Sequence, residues 1–250
     1  MVANAPEVSS DSDRPALESL LQHPAIWRGR GAAQVDVVST GFAALDESLP
    51  GGGWPRAGLI EILVSHIGVG ESWVLLPALA ALTQKASARW CAWVSPPFEP
   101  FAPALAAHGI ALGRVFVART EKPLWAFEQA LVSGACEAVL AWAPRAPARD
   151  IRRLQLAAEK GRALGVLFRP HAAARESSSA VLRVVVEPKE QSGQQGVRIT
   201  LLKSRGGSRG SIDLQWHGQP AQGCDGISTK PGGLLKSSTP PRSDSHAGSL

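Results

Sequence analysis

Tyrosine is absent from the 250 residues, which excludes any mechanism that needs a phenolic acid. Cysteine is scarce: Cys91, Cys136 and Cys224 are odd in number and widely spaced. They support neither a disulfide framework nor a Cys-X-X-Cys zinc site. The six histidines (His23, His66, His108, His171, His217 and His246) form no pair at metal-ligand spacing, so no metal and no other cofactor is expected. No local motif suggests a Ser-His-Asp set. Long apolar runs are also missing. The longest near-continuous one, Trp73 to Leu82, is far too short to span a bilayer. The polar, acidic stretch Met1 to Asp13 lacks the basic-then-apolar layout of a signal peptide. The expectation is a soluble, cytoplasmic protein without membrane association.

What is present is a globular composition, with 44% apolar and 19% charged residues. The net charge of +5 is unevenly placed. Residues 140–220 hold 14 Lys/Arg against 6 Asp/Glu, whereas the rest of the chain holds 12 against 15. A basic half of this kind fits a nucleic acid, an acidic protein partner or an ordinary solvated surface.

Residues 1–15 are rich in Ser, Asp and Pro and read as a disordered N-terminus, followed by a helical arm over 16–34. The arm is suited to packing on a neighbour or on its own core. Residues 218–250, rich in Gly, Pro, Ser and Thr, read as a disordered tail that buries too little surface to offset ordering entropy. Between them, 35–217 alternates strand-like and helix-like segments. Strands are predicted at Leu59–Ser65, Arg89–Ser95, Arg114–Arg119, Glu137–Trp142 and Gly165–Arg169. Helices are predicted at Ser72–Gln84, Pro100–His108, Pro123–Val132 and Asp150–Leu164, the last with Asp150 as its N-cap. This is an α/β pattern: a mostly parallel sheet covered by helices on both faces. Val181–Glu187, Val197–Lys203 and Ile212–Trp216 follow with no helix between them and read as an antiparallel C-terminal meander at the sheet edge. Trp73, Trp90, Trp93, Trp125 and Trp142 fall within these elements and read as core.

The first strand–helix junction is where an open α/β sheet binds ligands. Here it reads Ser65-His66-Ile67-Gly68-Val69-Gly70-Glu71-Ser72. A phosphate-binding loop requires G-x-x-x-x-G-K-[ST] at this place. Gly70 and Ser72 match; Ser65 replaces the first glycine and Glu71 the lysine. Each unit charge pair at roughly 4 Å and an effective dielectric of ~20 amounts to about 4 kcal/mol before desolvation, so Lys replaced by Glu opposes ATP strongly. Glu71 instead suits a helix N-terminus. Two readings of Ser65, Gly68, Gly70, Glu71 and Ser72 follow: a tight strand–helix turn, or a degenerate nucleotide loop with residual anion binding.

The layout resembles the RecA superfamily of P-loop proteins over about 35–217. The carrying residues are the lead-in Ser39-Thr40-Gly41-Phe42, Leu45-Asp46 and Gly51-Gly52-Gly53-Trp54-Pro55, then Glu61, and the order of the core strands. Within that superfamily the chain looks most like the ImuA family of translesion-synthesis accessory proteins, also labelled SulA-like. Here the carrying residues are His23-Pro24-Ala25-Ile26-Trp27-Arg28-Gly29, Leu49-Pro50-Gly51-Gly52-Gly53-Trp54-Pro55, Leu75-Leu76-Pro77-Ala78-Leu79, Arg153-Leu154-Gln155-Leu156-Ala157-Ala158-Glu159, Leu167-Phe168-Arg169-Pro170 and Leu202-Lys203-Ser204-Arg205-Gly206-Gly207. An active RecA-type ATPase places acids where this chain has Ser95-Pro96-Pro97 and Trp142, so the resemblance implies a scaffold without catalysis.

What the resemblance implies is a non-catalytic adaptor in damage-induced mutagenic DNA synthesis. Its implied partners are an ImuB-type Y-family polymerase homologue and an error-prone replicative-type DNA polymerase, with RecA and DNA as further contacts. Lys203 and Arg205 resemble the K-x-R element that RecA-like ATPases present across a subunit interface. Together with Arg209 and the helix arginines Arg149, Arg152 and Arg153, they are the candidate DNA- or partner-binding residues; the alternative for each is a solvated basic surface. Two other functions fit the same residues less directly: an active P-loop NTPase of DNA repair, and a SulA-like cell-division inhibitor that binds the division GTPase.

Overall fold

The alternating segments assemble, in a computed structural model, into one eight-stranded sheet. Residues 36–85, 89–191, 194–204 and 210–215 are described. The expected disordered ends at 1–15 and 218–250 and the arm at 16–34 lie outside the described residues, as do Arg205 and Arg209. The lead-in forms β1 (Val37–Val38), α1 (Ala43–Ser48) and β2 (Trp54–Pro55), with β1 and β2 paired antiparallel. The body follows as β3 (Gly58–Val64), α2 (Leu76–Thr83), β4 (Trp90–Val94), α3 (Ala102–Ala107), β5 (Val115–Ala118), α4 (Pro123–Val132), β6 (Cys136–Trp142), α5 (Ala148–Gly161) and β7 (Leu164–Pro170). It closes with β8 (Leu182–Gln191), β9 (Gln194–Ser204) and β10 (Ser211–Gln215).

The spatial order is β10-β9-β8-β3-β7-β6-β4-β5. All seven residues of β3 and all seven of β6 are buried. A parallel strand covered on both faces reads as such a continuous apolar run. One face packs Ile60, Ile62, Val64, Val166 and Val184 against α2 and the lead-in residues Leu45 and Trp54. The other packs Leu59, Val139 and Leu167 against Phe127 and Leu131 of α4 and Ile151 and Leu154 of α5.

The expected antiparallel C-terminal meander is present, β8 pairing antiparallel with β9 and β9 with β10; it joins the parallel sheet through β8, which runs parallel to β3 with Val184 beside Ile62. The chain crosses β3 between β7 and β8 through a 3-10 turn, His171–Arg175, too short to leave a helical pattern in the sequence. Helices therefore cover both faces only over the parallel strands. On β9 and β10 the second face carries Arg198 and Asp213, both exposed. Hydrogen bonds from Arg198 and Lys189 hold the Asp213 carboxyl down to about 2. Finally, α5 starts at Ala148 with Pro147, not Asp150, at its N-cap, and Asp150 sits in its first turn. Proline pre-sets φ there, and acid in a first turn suits the helix dipole.

Gly41 fixes the lead-in against the sheet. Its φ is +84°, and a Cβ on it would lie 2.4 Å from Pro77 of α2. Asp46 ties the same turn by accepting from Ser39 Oγ (2.6 Å) and the Thr40 N–H (2.8 Å).

Candidate functional site

The loop at 65–72 is closed by its own side chain. Gly68 and Gly70 take φ of +97° and +96°, a region open to glycine at no steric cost. This turn brings Glu71 inward rather than into solvent: the residue is 4% exposed. The Gly68 N–H donates to both of its carboxylate oxygens, at 3.2 and 3.1 Å. A carboxylate already holds a backbone donor of the kind that phosphate oxygens use in such loops. The chain next enters a 3-10 turn, Trp73–Leu75, and α2 begins only at Leu76, four residues later than predicted. Ser72 makes no side-chain cap bond, and Ser65 is exposed against His66.

The strand ends that would carry acids in an ATPase are occupied by structural contacts. Ser95 adopts φ +48°, donates its N–H to the Ala118 carbonyl (2.8 Å) and its hydroxyl to the Thr120 carbonyl (3.1 Å), and so ties β4 to β5. Trp142 stacks on Phe168 with centroids 4.5 Å apart and tilts against Trp93 at 5.7 Å. Cys91 and Cys136 are buried, and desolvation pushes the Cys91 thiol up to about 12, so neither is a poised nucleophile. Among the described residues no cluster of His, Cys, Asp and Glu could hold a metal ion, and no helix is long and apolar enough to cross a membrane.

The described basic candidates lie on two elements, Lys203 on β9 and Arg149, Arg152 and Arg153 on α5. Lys203 lies within β9, beside Arg183 of β8, and its ammonium donates to the Ser178 carbonyl at 2.7 Å. It is partly buried there rather than at a solvated hairpin tip. Arg149, Arg152 and Arg153 are all exposed on α5. Arg153 pairs with Glu128 of α4, and its Nη1 lies 3.7 Å from Asp150.

Two charge networks, one buried and one half-buried, were not visible in the sequence. Glu61, in the middle of β3 and fully buried, accepts from Arg169 of β7 at 2.7 Å and lies 2.7 Å from Arg183 Nε of β8. Arg183 also donates to the carbonyls of Ala173 and Glu176, which clamps the crossover turn. Glu61 and Arg169 carry part of the family resemblance, and their role here is structural. At the opposite end of the strands, Glu137 accepts from Arg89 (2.8 Å) and from Arg56. Arg89 also donates to the carbonyls of Gly134 and Gly161. Burial pushes the Glu137 carboxyl up; the hydrogen bonds and charges of Arg89 and Arg56 outweigh this and hold it below its ordinary value.

The free edge of the sheet is the other feature that sequence reasoning missed. Nothing among the described residues pairs with the outer side of β5. Phe116 and Val117 are exposed on it, and Trp90, exposed rather than core, meets Phe116 edge-on at 6.0 Å. Phe98 and Phe101, between β4 and α3, are each 70% exposed. Trp125 of α4, also predicted as core, is 60% exposed. Five consecutive apolar residues at 90–94 carry no mark of which strand neighbour is missing, so only the strand order reveals this surface.

Fold and surface together define a class: an α/β-sheet protein with a self-closed loop after its first parallel strand and an exposed apolar edge. The family model for the cell division inhibitor SulA matches residues 62–165. SulA of Photorhabdus laumondii is 36% identical over 113 residues, covering 44% of this chain and 63% of that protein. SulA of Edwardsiella piscicida is 34% identical over 115 residues (43% and 67%), and that of Yersinia enterocolitica 34% over 118 residues (46% and 69%). The chain thus spans about two thirds of the length of these relatives. The crystal structure of SulA from Pseudomonas aeruginosa is 23% identical, covers 44% of this chain and 97% of its own, and superposes with a TM-score of 0.38. The chain belongs to the SulA family.

Proposed function

We propose that this chain is a SulA-like, damage-induced inhibitor of cell division that acts in the cytoplasm by binding a partner protein through the β5 edge. The observation that carries this reading is the exposed apolar surface of Trp90, Phe98, Phe101, Phe116 and Val117, all inside the family-matched residues 62–165. An unpaired edge strand is a template for another chain, and soluble proteins usually blunt such edges with charge. Here Arg119, at the end of β5, is paired with Glu99 and leaves the apolar stretch open. Exposed aromatics at such an edge supply anchors for a protein interface. Loop 65–72 binds no nucleotide in this reading; Glu71 replaces the anion.

The test is expression in a rod-shaped bacterium, with co-sedimentation of the purified chain with the division GTPase. Wild type produces filaments and binds. Phe116→Asp restores septation and weakens binding by roughly tenfold or more, as loss of an interface anchor does. Normal division under wild-type expression, or full potency of Phe116→Asp, would sink the proposal.

A second reading is favoured by one observation: the lead-in 36–58 and strands β8–β10 lie outside the family-matched residues. In that reading the chain is a RecA-like, ImuA-type adaptor in translesion synthesis. Its partners are an ImuB-type polymerase homologue and an error-prone replicative-type polymerase, with RecA or DNA contacted through Lys203, Arg205, Arg209 and the α5 arginines. Pull-down of those polymerases in place of the division GTPase is the result that selects it.

A further inference from the structure

A second surface lies on the molecule's other helical layer, apart from the β5 edge. Helices α4 and α5 pack side by side over the second face of the sheet. Near their C-terminal ends they touch closely, because a Cβ on Gly161 would lie 1.8 Å from the Leu131 carbonyl oxygen. At their N-terminal ends a cleft of about 300 Å³ lies between them. Its apolar lining is Leu124, Trp125 and Leu154, and its polar lining is Glu128, Arg149, Asp150 and Arg153. A tryptophan 60% exposed beside a cleft is costly in water unless covered.

The charges around the cleft identify what would cover it. Residues 145–153 carry Arg145, Arg149, Arg152 and Arg153 against Asp150 alone. Arg153 is engaged by Glu128 across the cleft. Arg149 lies 3.8 Å from Asp150 with an 85% exposed side chain. Arg145 and Arg152 are exposed, with no ion pair among the described residues. The rim is therefore basic, whereas the interior holds carboxylates that would repel a polyphosphate. Tryptophan and arginine around an apolar floor form the composition of a protein hot spot.

We propose that the α4–α5 cleft binds an acidic amphipathic segment of a partner protein. One apolar side chain of the segment fills the cleft between Trp125 and Leu154, and flanking carboxylates reach Arg149 and Arg152. The site is built from α4 and α5, not from the residues of the β5 edge.

The test pans a phage-displayed library of random twelve-residue peptides against the full chain. Enriched peptides are then synthesised and their binding followed by fluorescence anisotropy at low and high salt. The expected winners pair an aromatic or aliphatic residue with at least two Asp or Glu, and salt weakens them. Trp125→Ala and the charge reversal Arg149→Glu/Arg152→Glu each weaken binding by roughly tenfold or more. Phe116→Asp leaves it unchanged, which separates this cleft from the β5 edge. All four positions are exposed, so unaltered thermal unfolding of the variants serves as the control. Enrichment of neutral or basic peptides, no enrichment, or equal binding to the variants overturns the proposal. So does variant-sensitive binding of a twenty-nucleotide oligothymidine in place of the peptides, which would assign the cleft to nucleic acid.

Discussion

Glu61 and Glu71 show how similar side chains take opposite roles. Glu71 was the clearest departure from a nucleotide loop, and its identity alone argued against ATP. The structure adds that the carboxylate is buried on the Gly68 N–H, so the loop is filled as well as repulsive. Glu61 sits among apolar neighbours in β3 and looks in sequence like a strand residue with one polar interruption. Its partners Arg169 and Arg183 are 108 and 122 positions away, and only strand pairing brings them to it. Removing one member of a buried ionic set leaves uncompensated charge. Glu61→Ala should therefore destabilise the fold by about 3–5 kcal/mol, measured by urea unfolding. An unchanged midpoint would show that the network is not needed.

At the scale of elements, the sequence placed the parallel strands and α4 closely, because buried strands and capped helices leave local marks. Pro123 at the start of α4 and Gly134 after its end are such marks. The direction of β8 leaves none, since a short crossover looks like a hairpin. Nor does Gly161 announce itself: at the end of α5 it reads as an ordinary helix terminus. By helix propensity alone, Gly161→Ala should gain up to about 1 kcal/mol. The 1.8 Å approach to Leu131 backbone reverses the sign. The expected outcome is a loss of about 1–3 kcal/mol from overpacking, seen as a lower Tm; a raised Tm would contradict the close packing.

Over the whole molecule, the two charge networks sit at opposite ends of the parallel strands. Glu137 links the start of β6 to Arg56 after β2 and to Arg89 before β4. Its folded carboxyl is held below the ordinary value, so it contributes stability above the unfolded pKa of about 4.3. That contribution is lost as pH falls through the lower folded value. Wild type should exceed Glu137→Gln by a constant margin from neutral pH down to about 5, and the margin should close below about 4. Chemical unfolding of both proteins across this range checks it. A margin independent of pH would assign the difference to packing instead.

The sequence by itself determined the α/β alternation, the loss of the phosphate-loop lysine and acids, the lack of metal spacing and the basic second half. All are local properties, set by residue identity and by periodicity within one element. Tertiary structure alone decided that Trp93 is core while Trp90 is surface, that β8 runs parallel to β3, and that Arg149 and Arg153 share a cleft with Trp125. Burial and partnership depend on which strand or helix lies alongside, and that neighbour is contributed by residues far away in the chain.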